Sequence, residues 1–415
     1  MPNVREQATT TTTPARRPLS ALLSQVLVAY TVELDNNFEL GMSRAGFPGA
    51  RLSLVVWTNV IRFIPETGGI SVRDLQTTSL SSEERLRFQL GCLERWGFIY
   101  FQQDKKSSPA GSQAGSEVKR DGWGSGRGIK QTWVVHLARR GRLAESIWPK
   151  VWPLIEERWK QRFGAGYARL YGALQEIERK RELELPLGLP GGGNVPWSEV
   201  YPPRKSQEEE AAVDIPLSAL LSRVLLMSTI EFNQRSSVPI MLCASTIRVL
   251  NENTGVRLGD LPRLTGCSPE ASDIGWFLNR FVVVESDPSS KRGKVAKLSP
   301  AGVKAQKAYY QLTGEIEKEW DGKFGTARVR ALRSALEAIL ALQKEGKSVL
   351  GQGMVPPEGV IRAGSVAPAL GRRDPGVAAK QRGRDSVEQT KLFVADPEGS
   401  LPHYPMWDMN RGFGP

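Results

Sequence analysis

The chain has 415 residues, room for about two or three domains, and its 40% apolar content is enough for ordinary cores. Lys and Arg outnumber Asp and Glu by 56 to 44, a formal charge of +12 that suits a polyanionic partner. Three scattered cysteines (Cys92, Cys243, Cys267) exclude a disulfide framework, and with two histidines (His136, His403) there is almost no material for a metal site or Ser-His-Asp chemistry.

Residues 1–17 contain no apolar core, so they are read as a disordered N-terminus and not as a signal peptide. No run of 18 apolar residues occurs, so no membrane span is expected and the setting is a reducing cytoplasm. There a cysteine is expected to be a buried, inert thiol, with redox sensing as the rival role.

The first predicted element is a helix opening with "PLSALLSQVL" at 18–27. The same line returns as "PLSALLSRVL" at 216–225, nine letters of ten identical, with Leu217, Leu220, Leu221, Val224 and Leu225 on one helical face. Two short helices follow, the second carrying "VRDL" (72–75), which matches "LGDL" (258–261). Next comes a helix over 81–96 with a capping box, Ser81 and Glu84. Its counterpart has Ser268 as N-cap and Pro269 at the first helical position. "LERWGFI" (93–99) matches "LNRFVVV" (278–284) and leads into a strand, a basic loop and a returning strand. Two helices close each copy: "HLARRG" (136–141) and "ERWKQRFG" (157–164) match "KLSPAG" (297–302) and "KEWDGKFG" (318–325). The order is constant, so the chain is a tandem duplication. The first copy (18–182) is longer, chiefly through an insertion in its basic loop at 104–130. A non-helical connector (183–213), the second copy (214–345) and a low-complexity tail (346–415) complete the chain.

Three helices followed by a β-hairpin make a winged helix-turn-helix. "DPSSKRGKVAKLSPAG" (287–302) resembles the wing of the MarR-type transcriptional regulators, its Asp287, Pro288, Lys291, Arg292, Leu298, Ser299 and Gly302 standing at that family's wing positions. "DLQTTSLSSEERLRFQLGCLERWGFI" (74–99) keeps the spacing of the same family. The resemblance spans both copies. It implies a mainly α fold with small β-hairpins (α+β), two tandem winged-helix domains and flanking dimerisation-type helices. It also implies regulators that pair, here as an intrachain pseudo-dimer, with a homodimer of whole chains as the rival. A small aromatic effector in the cleft beside Trp57 and Trp148 is a further implication; the plainer reading places both tryptophans in the core.

A winged helix sets one helix in the major groove and its wing over the neighbouring backbone. If Leu86, Leu90 and Leu93 face the core, then Glu84, Arg85, Arg87 and Phe88 point away and Gln89 lies at the margin. Arg85, Arg87 and Gln89 are therefore the candidate base readers. In the second copy Ala271, Ile274 and Leu278 face inward, leaving Ser272, Asp273 and Trp276 outside without a cation. The wings supply phosphate ligands: Lys119, Arg120, Arg127 and Lys130 in the first, Lys291, Arg292 and Lys294 in the second.

The leading expectation is a sequence-specific, cytoplasmic, nucleoid-associated regulator of double-stranded DNA, without cofactor or enzymatic activity. No phosphate loop, HExxH or GxSxG occurs. The alternative is a winged-helix protein-interaction scaffold.

Overall fold

The computed structural model describes residues 16–47, 52–102, 128–190, 201–204, 215–261, 264, 278–288 and 293–342. Lys119, Arg120, Arg127, Lys291, Arg292, Cys267, Ser268, Pro269, Ala271, Ser272, Asp273, Ile274 and Trp276 lie outside the described residues, as do residues 1–15 and the tail from 343. The described residues are mainly helical with two small antiparallel sheets, the α+β character expected of the chain.

The first copy opens with α1 (Leu19–Arg44), α2 (Leu54–Asn59), a 3-10 turn (Ile61–Phe63) and strand β1 (Ile70–Ser71). It continues with α3 (Val72–Ser79), α4 (Glu83–Arg95), β2 (Ile99–Gln102), β3 (Val134–Leu137), α5 (Arg139–Phe163) and α6 (Ala165–Glu178). The second copy opens with α7 (Leu217–Arg235), α8 (Ile240–Leu242) running into a π-helical turn (Cys243–Ile247), and β4 (Val256–Arg257). After a 3-10 turn (Leu258–Asp260) come β5 (Val282–Ser286), β6 (Lys294–Leu298), α9 (Pro300–Trp320), a π-helical turn (Asp321–Gly325) and α10 (Thr326–Leu342). The sheets have matching orders, β1-β3-β2 and β4-β6-β5.

The one-face reading of the repeated helix needs correction. In α7 every residue from Leu217 to Thr229 is buried, polar ones included. α1 is likewise covered around its girth, from Leu19 through Phe38. The reason is its neighbours: α1 packs on α5, α7 and α10, and α7 on α1, α6 and α9, while α6 lies along α10. A periodic stripe marks which face is most apolar, not how many helices surround it. One continuous hydrophobic core runs through both copies.

Equivalent atoms do equivalent work in the two copies. The Phe98 carbonyl accepts the Ala138 N–H and the Phe281 carbonyl the Ser299 N–H, both at 2.9 Å. Gly141 and Gly302 lie so close to those carbonyls that a Cβ on either would sit 2.1 Å from the oxygen. Trp159 packs on Phe163 (5.0 Å between centroids) as Trp320 does on Phe324 (5.2 Å). The start of each opening helix is held by the other copy's closing helix: Tyr171 Oη donates to the Ile215 carbonyl (2.8 Å), and Arg333 to the Arg17 carbonyl (2.9 Å).

The shared position of Phe98 and Phe281 corrects the register of the repeat. "LERWGFI" and "LNRFVVV" align by letters at an offset of 185, but the structure superposes the strands at 183, with Ile99 opposite Leu137 and Val282 opposite Leu298. The first copy leaves α4 through Gly97, whose φ of +74° a side chain would resist. The second copy turns more tightly, with the Phe281 N–H bonded to the Leu278 carbonyl. The described part of the connector is non-helical, as expected, but packed: Leu185 and Tyr201 are buried, and Asn59 Nδ2 donates to the Gly188 and Leu189 carbonyls.

Candidate nucleic-acid interface

α3 begins at Ser71, whose hydroxyl accepts the Asp74 N–H (3.0 Å). It ends at Leu80, a non-glycine residue in the left-handed region (φ 53°), which turns the chain sharply into α4. The N-cap of α4 is Ser82 and not Ser81, and its hydroxyl makes no capping bond. The expected capping box is therefore absent; Glu84 is exposed instead.

Leu86, Leu90 and Leu93 are fully buried, as predicted. Arg85 and Gln89 were expected outside or at the margin, yet each is only 4% exposed. Cys92 is buried with them. At about 100° per residue, the buried positions 85, 86, 89, 90, 92 and 93 span about 160° of the helix. That arc is wider than the leucine stripe, and Arg85 and Gln89 fall inside it. The solvent side of α4 carries exposed Glu83, Glu84 and Arg95, with Arg87 and Phe88 half-buried. Arg87 remains available but pairs with Glu83 one turn earlier (2.5 Å).

The hairpins meet solvent with cations at their loop ends. Lys130, just before β3, and Lys294, which opens β6, are both exposed. The second hairpin is closed by the Asp287 N–H bonded to the Gly293 carbonyl (2.9 Å). Asp287, itself buried, also pairs with Arg257 of β4 (2.8 Å). Sequence reading missed Arg257; its position two residues before "GDL", on the strand facing the hairpin, was the available signal. On the outer face of the first sheet Tyr100, half-exposed, stacks on His136 (5.0 Å), whose Nε2 bonds Gln102. The corresponding face of the second sheet has Lys297 paired with Glu285 beside Val283.

Trp57 and Trp148 belong to the core. They stack on each other (5.5 Å), Trp148 stacks on Phe38 (4.5 Å), and Trp152 meets Trp57 edge-on (5.4 Å). One turn from Phe38 along α1, Asp35 is fully buried and accepts the Leu54 N–H (2.8 Å). Burial, then the nearby Glu39, pushes the Asp35 carboxyl well above the usual carboxylate range, against the bonds from Leu54 and Ser53. The indole N–H groups of Trp57, Trp148 and Trp152 and Asp35 Oδ2 have no hydrogen-bond partner among the described residues. Cys243 is buried too, and burial pushes its thiol up to about 12.

Among the described residues no helix is long and apolar enough to cross a membrane, and no three His, Cys, Asp or Glu side chains gather as metal ligands. No family model, curated protein or solved structure matches the chain.

Proposed function

We propose that the chain is a winged-helix regulator of double-stranded DNA, its two copies standing as an intrachain pseudo-dimer where two subunits would otherwise pair. One observation carries this reading. Both copies set a three-stranded sheet of the same order, with an exposed cation at the loop end of the hairpin, on a single shared helical core. That arrangement holds two hairpins at a fixed separation, which a duplex with repeated grooves can meet. The net charge of +12 supplies phosphate affinity.

The buried Arg85 and Gln89 change which residues carry specificity. Base reading in the first copy falls to Arg87, released from Glu83 on binding, and the rest of the interface is phosphate contact from Lys130, Lys294 and the wings. The protein-interaction scaffold is the second reading, favoured by the exposed Glu83 and Glu84 on the solvent side of α4.

The test is titration against a broad library of genomic duplexes at rising salt. Each phosphate contact contributes about 0.9 to the slope of log affinity against log salt, so several contacts give a steep loss. Absence of binding to every duplex at low salt refutes the regulator and favours the scaffold.

A further inference from the structure

The ten-letter repeat differs at one place: Gln25 in α1, Arg223 in α7. Arg223 is buried at the junction of the two copies. Its Nη1 donates to Glu178 Oε1 at the end of α6 (2.9 Å) and its Nε to the Leu185 carbonyl (3.2 Å). Arg181 pairs with the same Glu178 oxygen, and both side chains are almost wholly buried.

Exchanging the two copies carries Arg223 onto Gln25, Glu178 onto Ile339 and Arg181 onto Leu342, by the offsets of 198 and 161. On that side of the junction Ile339 is fully buried, and Gln25 turns to Arg17 (2.8 Å). The same place therefore holds a buried carboxylate between two guanidinium groups on one side, and on the other a buried isoleucine, with Gln25 accepting from the Arg17 guanidinium. We propose that this difference is a key: the second copy, whose buried Arg223 finds its carboxylate only on the first copy, accepts the unlike copy and rejects a second copy of itself.

Pairing two first copies would set Glu178 and Arg181 against Gln25 and remove Arg223. Pairing two second copies would bury Arg223 against Ile339 with no carboxylate. A buried ion pair adds little net stability over an apolar pair of similar volume, but a buried charge deprived of its partner is costly. The main effect of the pair is thus on partner choice, through the penalty on the wrong pairing. The proposal rests on the pseudo-dimer part of the reading above and not on DNA binding.

Three full-length variants test it. Glu178→Ile with Arg181→Leu writes the second copy's residues into the end of α6 and the turn after it, Arg223→Gln writes the first copy's residue into α7, and the third variant combines all three changes. The double variant and Arg223→Gln should each melt below the unaltered protein, whereas the triple variant, matched on both sides, should melt above both by about 4 °C or more. Additive loss in the triple variant overturns the proposal. The double variant and Arg223→Gln, unfolded and refolded together, should give a one-to-one mixed dimer by native mass spectrometry, because exchange restores one ionic and one apolar side. A mixture that stays two destabilised monomers overturns the claim on partner choice. Neither readout involves DNA, so loss of the regulator reading leaves both results standing.

Discussion

Gly141 and Gly302 offer a sharp test of the strand-to-helix joint that both copies share. A Cβ at either site would lie 2.1 Å from the Phe98 or Phe281 carbonyl oxygen and about as close to a leucine as packing allows, 3.1 Å and 3.0 Å from Leu137 and Leu298 Cδ2. Carbon and oxygen approach without repulsion to about 3.3 Å, so the alanine variant must open the joint by about 1 Å. That strains the packing by about 1–3 kcal/mol and weakens the 2.9 Å bond from Ala138 or Ser299, worth about 1 kcal/mol. Alanine recovers about 1 kcal/mol of helix propensity. The net loss is about 1–3 kcal/mol, or about 2–12 °C in Tm. Gly172 is the control. It lies inside α6 with nothing within 4 Å of its Cβ position, so Gly172→Ala should gain up to about 1 kcal/mol. Thermal unfolding by calorimetry measures all three variants. If Gly141→Ala and Gly302→Ala rise in Tm as Gly172→Ala does, the joint is not tight and the argument fails.

Asp35→Asn should keep the Leu54 N–H bond while removing a carboxyl whose folded pKa is raised. A raised acid pKa means that folding retains a proton the unfolded chain has lost, so the wild-type protein loses stability relative to the variant as pH rises from about 4 towards the folded pKa. Stability curves that run parallel across that range would contradict the assignment. Cys92 and Cys243 are buried, and the Cys243 thiol is pushed up to about 12, so neither should react with iodoacetamide until the protein unfolds; rapid labelling in the native state, read by mass spectrometry, would reopen the redox-sensing role. If the chain binds DNA as proposed, Arg87→Ala should change the preferred bases among random duplexes by about 1–3 kcal/mol of discrimination, whereas Arg85→Ala should first lower Tm; a changed base preference with Arg85→Ala alone would show that α4 turns outward on binding.

The repeat, the hairpin strands and the ends of the closing helices were legible in the letters, whereas the short strands β1 and β4 that complete each sheet were not. The legible ones rest on local signals: apolar spacing, Trp-x-x-x-Phe-Gly at a helix end, and a hairpin between two apolar strands. The leucines of α4 were legible as well, because a heptad-like stripe always seeks the core. Three further features were decided only by tertiary structure. α1 and α7 are buried all round because each is enclosed by helices from both copies, and no stripe in a single helix counts its neighbours. Arg85 and Gln89 lie inside because the buried arc of α4 reaches beyond its leucines, and the width of an arc depends on what covers it. The weight of the single changed letter of the repeat, Gln25 against Arg223, comes from the fold, which brings Glu178, 45 residues away, within 2.9 Å of Arg223. Periodicity fixes direction along one element, whereas the partner of a buried charge is set by which elements meet.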